Sequence, residues 1–467
     1  MRNQLNLIGL VTLTILIAIS VIRCGGGDGD GGIAIICGDN EAVYVRMDAD
    51  DSNPGTISEP LQTIQAAVAC AVSGQSIRIA NGTYVVDSVN GSNIRLEEGK
   101  SIYGGYSSDF QVRDPVVYPT IINDVTDMTM FPQYQASVVS VGTTTLATVL
   151  DGLTINGSTV GSSGSVAAIY ITNGTPTISN NIINGGGSSN LSSCGVDLSS
   201  GGGVIKNNTI TANEQGIKVS VIFGSFEISK NTISANYMGV GIHAASTAEY
   251  KINNNTISSD SYGVVLNDFS IAVIEANTIS AGTGIHTTKG APVIRNNTIK
   301  FTGVGGEAAG ISNRAHSVIS NNTIVGGSNL SSGIYTTSTS TILQNNIIDM
   351  VDGICIAEGD ANSDPASLQN NDLTGCSTLY CDEGWDMMSL CAISLTNISD
   401  VNALVETAAS GNISIPPNLD GSQDYRLTGA SPIEVTQGGL DLSSDFNTDK
   451  AGYTRTVPWS MGAYEYD

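Results

Sequence analysis

Lys218, His243 and His286 share a local setting: each stands two residues beyond a glycine, in Gly216-Ile217-Lys218, Gly241-Ile242-His243 and Gly284-Ile285-His286. A basic side chain presented in this way can abstract a proton beside a sugar carboxylate, which is the first step of a lyase or an epimerase. Asp197 and Tyr335 follow glycines at the same distance. There a carboxylate can help to hold a cation, and a phenol can stack on a sugar ring. Two residues further along come Asn267 and Arg314, a second polar set suited to ligand binding. A separate acidic run, Asp48, Asp50, Asp51 and Asn53, offers oxygen donors at short alternate spacing, so Ca²⁺ is the one cofactor to consider. The glycine and terminal glutamate that an EF-hand loop needs are missing from it. Asp260, Asp268 and Glu307 fall in or near turns, where a facing carboxylate pair of the glycosidase kind would have to form. No Ser-His-Asp order, nucleotide fingerprint or metal-binding cysteine and histidine spacing is present, and the glycine-rich Gly303–Gly310 lies inside a repeat turn.

The elements that must carry these residues are strands. Aligned on itself, the chain repeats Ile-x-Asn-Asn-Thr-Ile, as in "IKNNTI", "INNNTI" and "ISNNTI". The second asparagine falls at Asn181, Asn208, Asn231, Asn255, Asn277, Asn297, Asn322, Asn346 and Asn371, an interval of about 24 residues. Each unit then opens a second short apolar run on a glycine ("GVDLS", "GIKVS", "GIHTT", "GIYTT"). β-branched residues in alternation, cut by Gly, Ser and Asn, read as strands, and nothing from Gly152 to Gly375 has a helix-length apolar stripe. A leucine-rich repeat has a similar period but needs leucines that are absent here.

Stacking such units puts like above like. The column Ile178, Ile205, Ile228, Ile252, Ile274, Ile294, Ile319, Leu343 and Leu368 points inward, and so does the column from Ile183 to Leu373. Between them the second asparagines share a side and are placed to form an amide ladder. Outward alternation gives the column Asp197, Lys218, His243, Val265, His286, Ser312, Tyr335 and Cys355, with coils about 4.8 Å apart. A second column, from Ser179 through Lys206, Glu275 and Arg295 to Gln369, is a mixed polar ladder in which Glu275 and Arg295 neighbour each other. The plain expectation for Lys218, His243 and His286 is that they are solvated strand residues.

These repeats resemble the right-handed parallel β-helix, or pectin-lyase-like, superfamily. Upstream, "DADDSNPGTISEPLQTIQAAVACAVSGQSIRIANGTY" is similar to the opening of exported bacterial β-helix proteins. That similarity implies an amphipathic helix over Leu61–Val72 capping the open end of the solenoid. "SPIEVTQGG" and "MGAYEYD" resemble the family's closing segment. The expected fold is therefore all-β, a right-handed parallel β-helix with an N-terminal capping helix and a C-terminal closing segment. Its expected parts are a signal or anchor segment (1–23), a Gly/Asp-rich tether (24–42), the cap and first coils (43–149), the repeats (150–391) and the closing segment (392–467). Members of the superfamily include lyases, hydrolases, epimerases, adhesins and surface proteins.

Composition narrows the setting. The 467 residues hold 18 Lys plus Arg against 43 Asp plus Glu, a formal charge of -25, which argues against nucleic acid as a partner. Met1-Arg2 precedes an apolar run from Leu5 to Ile22, the form of an export signal. The following "VIRC" resembles a lipobox whose Cys24 is lipidated, although Arg23 stands where that pattern wants a small residue; an uncleaved anchor or simple secretion are the alternatives. Eight cysteines suit an oxidising compartment. The expectation is a monomeric, exported cell-envelope protein, held to the membrane through its N-terminus, that presents a sheet to polysaccharide or a surface partner. The alternative is a carbohydrate-active lyase, epimerase or glycoside hydrolase working in the same groove.

Overall fold

The computed structural model describes Cys37 and residues 41–88, 92–127, 135–159, 165–187, 192–220, 222–243, 249–267, 271–303, 308–327, 331–382 and 391–466. The leading apolar run, Cys24, Asp268 and Glu307 lie outside the described residues. The chain winds into a right-handed parallel β-helix of three sheets, called sheets one, two and three in the order in which each coil visits them. They contain 14, 12 and 13 strands respectively. One coil shows the plan: Gly201–Lys206 lies in sheet one, Thr209–Ala212 in sheet two and Gln215–Val219 in sheet three. The next coil pairs with it in parallel, Ile205 on Ile228, Ile210 on Ile233 and Ile217 on Val240. Both aliphatic columns read from the sequence are buried, and sheet three adds a third through Val196, Ile217, Val240, Val264 and Ile285. Burying each such side chain contributes about 1.5–3 kcal/mol, so stacking alone gives a continuous core.

The asparagine pair makes the corner between sheets one and two. The first residue of each pair turns the chain in the left-handed region, from Asn180 and Asn207 (φ 56) to Asn370 (φ 52), with Lys230 and Ala276 in the same conformation. Asparagine accepts that conformation more readily than most residues. The second residue points inward and builds the ladder. Asn255 Oδ1 accepts from Asn231 N at 2.9 Å and from Asn231 Nδ2 at 3.0 Å, while Asn255 Nδ2 donates to Asn277 Oδ1 and to Ile228 O. The ladder runs past the expected end of the repeats at 391: Asn371 donates to Asn412, and Asn412 to Asn402. Asn402 closes the short helix Ile398–Val401 over the last coil.

The capping helix, α1, is shorter than expected and spans Ile64–Cys70. Leu61 is instead bridged to Val45, since Leu61 N donates to Tyr44 O and Arg46 N to Leu61 O. Thr63 is the N-cap, accepting from Ala66 N, and Ile64, Ala67 and Val68 are buried over the open end of the solenoid. Disulfides join Cys37 to Cys70, Cys355 to Cys376 and Cys381 to Cys391, and Cys194 is free and buried.

Beyond Asn412 the closing segment does not continue the coil. It runs back along the flank as a strap held by the outward asparagines of the corner. Asn370 Nδ2 donates to Gly438 O at 2.7 Å, Asn345 Nδ2 to Leu440 O at 2.9 Å and Asn296 Nδ2 to Thr448 O at 2.8 Å. Val435 and Met461 pack on Ile347, an apolar residue at an outward position that is threonine in the preceding coils.

Candidate functional site

Strand register fixes what the outer face of sheet three presents. Its central column is Tyr170, Asp197, Lys218, Gly241, Val265, His286, Ser312, Tyr335, Ala357 and Cys381. Two places differ from the sequence expectation. Met238–His243 contains two glycines, and the one in the repeat position is Gly239, where an added Cβ would meet Ile257 Cγ2 at 2.2 Å and Gly263 O at 2.7 Å. Gly241 therefore lies beside Lys218, and His243 moves to the neighbouring outward column beside Asn267, whose Nδ2 stands 2.9 Å from His243 Nδ1. Cys355 likewise takes the inward glycine position, where it is buried, and Ala357 replaces it on the outer face.

The face thus brings Asp197 and Lys218 together and sets His243 with Asn267 one coil on. Lys218 Nζ lies 3.3 Å from Asp197 Oδ2, with the carboxylate buried. Burial opposes the Lys218 ammonium, but the charges of Asp197, Cys194 and Glu214 outweigh it and hold its pKa above the ordinary lysine value. Lys218 is consequently a cation engaged in a pair, not a free base. His286 is the reverse case. Burial, aided by the Arg314 charge, pushes it down to about 4, so its imidazole is neutral at pH 7, with Nδ1 3.1 Å from Ser312 Oγ. Burial also raises the Tyr335 phenol. Arg314 is exposed, one residue beyond the paired Asn313.

A third outward column, absent from the sequence reading, flanks these residues: Cys194, Gln215, Met238, Tyr262 and Thr283. Strict alternation hides it. The repeat glycine and the residue after it both face inward, since a Cβ on Gly216 would meet Ile233 Cγ2 at 2.3 Å, so the residue before the glycine emerges on the outer face. Here the rings of Tyr237 and Tyr262 meet edge to face at 5.9 Å, and Tyr262 continues to His286 at 5.9 Å.

Elsewhere the polar groups serve the fold. Asp48 pairs with Arg46 at 2.5 Å, Asp50 accepts from Ser52 N and Oγ, and Asp51 accepts from Gln62 N, Thr63 N and Thr63 Oγ1. The loop thereby leads the chain into α1, which leaves few oxygens for Ca²⁺. Among the described residues, the acids whose oxygens do lie within 4.8 Å of one another are Glu358, Asp364 and Asp382, which sequence spacing does not bring together. Glu358 is buried and accepts from Tyr380 Oη. Glu275 and Arg295 pair at 2.8 Å as anticipated, but the strap half-covers them and sets Arg295 over the Phe446 ring at 4.8 Å.

The family described as protein of unknown function, DUF1565, matches residues 47–283, and the right-handed β-helix region matches residues 240–402. The chain belongs to the DUF1565 family. In this DUF1565 protein the family match ends within the coil whose strand in sheet three carries His286, while the β-helix match continues over Ser312 and Tyr335. Similar solved structures include pectate lyase Pel9A (13% identity, TM-score 0.49, 91% of this chain and 96% of that one) and XylC in complex with xylose (12%, 0.40, 91% and 98%). A rhamnogalacturonan lyase is similar at 12% identity and a TM-score of 0.33, over 90% of this chain and 96% of that one. No curated protein matches the chain.

Proposed function

We propose that this DUF1565 protein is an exported cell-envelope protein, lipid-anchored through Cys24, that holds polysaccharide along the outer face of sheet three. The observation that carries the reading is the ladder of Asp197, Lys218, His286, Ser312 and Tyr335, aligned in one register column. Its rise of about 4.8 Å per coil is close to that of a sugar in an extended chain. The charge states favour holding over turnover. Lys218 is protonated and paired, and an imidazole whose pKa is about 4 is a weak base at neutral pH. Three disulfides suit an oxidising compartment. With six cysteines paired and Cys194 buried, Cys24 is the cysteine left for a lipid.

The test is retention of the full chain on immobilised acidic and neutral polysaccharides, alongside assays for new double bonds and new reducing ends. Retention without turnover is the expected result. A catalytic reading, as a lyase, epimerase or glycoside hydrolase, rests on His286 being neutral beside Ser312. Turnover that disappears in His286→Ala would replace the binding reading with that one.

A further inference from the structure

Gln215 lies at the centre of the third outward column and is nine-tenths buried, yet its Oε1 has no hydrogen-bond partner among the described residues. A buried amide oxygen without a donor costs about 1–3 kcal/mol, so the folded chain keeps an unfavourable group here. The oxygen is aimed at the gap left by Gly241. A Cβ built on that glycine would lie 3.2 Å from Gln215 Oε1, 3.1 Å from His243 Nε2 and 3.2 Å from Met238 Sδ. Three side-chain tips therefore converge where the central column has no side chain of its own, between Lys218 and Val265. They are ends of rotatable side chains, so an incoming group displaces them without moving backbone.

We infer that Gln215 is the recognition residue of a subsite for a neutral sugar, accepting a hydrogen bond from a ring hydroxyl while Tyr262 supports the apolar face of the ring. The inference rests on the polysaccharide reading and names the ligand class. Three observations select a neutral sugar. The atom lacking a partner is an acceptor, which calls for an O–H donor; a carboxylate or sulfate offers only acceptors. The cation beside it, Lys218, is already balanced by Asp197. The chain as a whole carries a formal charge of -25, which repels an acidic polymer. His243 completes the subsite. Asn267 Nδ2 can only donate, so their contact makes His243 Nδ1 the acceptor and leaves the ring proton on Nε2, the nitrogen facing the gap.

The experiment is calorimetric titration of the full chain in detergent with laminarihexaose, cellohexaose, mannohexaose and hexagalacturonate, repeated with Gln215→Met, Gln215→Glu and Tyr262→Ala, with Tm recorded for each. The expected result is binding of at least one neutral hexaose, weakened about tenfold or more in Gln215→Met and in Tyr262→Ala. Gln215→Met should melt no lower than the unmodified chain, because it removes a buried acceptor that nothing satisfies; a purely structural glutamine would give a clear drop. Gln215→Glu keeps an acceptor at the same place and should retain binding. Unchanged affinity in Gln215→Met, or a preference for hexagalacturonate, overturns the inference and leaves the polysaccharide reading standing. Failure of the unmodified chain to bind any of the four overturns that reading and the inference with it.

Discussion

Each asparagine of the corner pair has its own task, and the two tasks fail differently. The second is an interior rung. Asn255 Oδ1 satisfies two donors of Asn231, and Asn255 Nδ2 reaches Asn277 Oδ1 and Ile228 O. Asn255→Ala leaves buried donors and acceptors on both neighbouring coils without partners, at about 1–3 kcal/mol for each group left unsatisfied. A Tm drop of several degrees in a thermal melt is expected, and a drop within error would mean that the ladder contributes little. The first asparagine is a backbone device. At Ala276 the left-handed conformation (φ 56) is imposed on a residue that disfavours it, so Ala276→Asn should stabilise the fold by roughly 0.5–1 kcal/mol, read as a small rise in urea midpoint. The inward role of the second asparagine was legible in the repeat. The first asparagine's role was legible only in the residue type, because period-two alternation says nothing about a corner.

Strand order and register were legible because nine units align on one another, so the columns of sheet one match the structure residue for residue. Sheet three was harder. Its repeat glycine faces inward against an isoleucine methyl of its own next strand pair, which puts two inward residues in succession and breaks the alternation from which outward positions were counted. That break misplaced His243 where two glycines compete, and it concealed Gln215 and Tyr262. The same packing makes a prediction for the sheet. A Cβ on Gly263 would stand 2.4 Å from Ile279 Cγ2 and 2.5 Å from Gly284 O, so there is room for no side chain. Gly263→Ala should cost about 1–3 kcal/mol by overpacking. Ile279→Val keeps the branched methyls, whereas Ile279→Leu removes the obstructing Cγ2; the double variant Gly263→Ala with Ile279→Leu should therefore recover part of the loss. No recovery in paired melts would place the obstruction at the Gly284 carbonyl instead.

At the scale of the whole molecule the strap converts a half-exposed solenoid flank into an interior, and it does so over charged as well as apolar groups. Its presence was legible as a closing segment, but its direction was not, since nothing in its composition says that it returns over Asn370, Asn345 and Asn296 instead of ending the coil. Asp372 shows the consequence. It occupies the outward position held by threonine in earlier coils, yet the strap buries it completely, with Oδ1 accepting from Ile415 N at 3.0 Å. Burial, with the Asp349 charge adding to it, pushes the carboxyl up to about 7 against the pull of that backbone N–H. A folded pKa raised above the unfolded value of 3.8 means that the folded chain holds the proton more tightly. The stability it contributes is therefore complete below about pH 4 and is lost as pH rises through about 7. At about 1.4 kcal/mol per pH unit the loss is of order 2–4 kcal/mol. Lys450, which burial pushes down to about 8 despite Asp424, titrates above that window. Asp372→Asn keeps a carbonyl oxygen for Ile415 N and removes the titration. Urea melts between pH 5 and 7.5 should then show a falling midpoint in the unmodified chain and a much flatter one in Asp372→Asn, with strap cleavage by a protease rising with pH only in the former. Parallel slopes in the two proteins would show that the strap is held without regard to the protonation of Asp372.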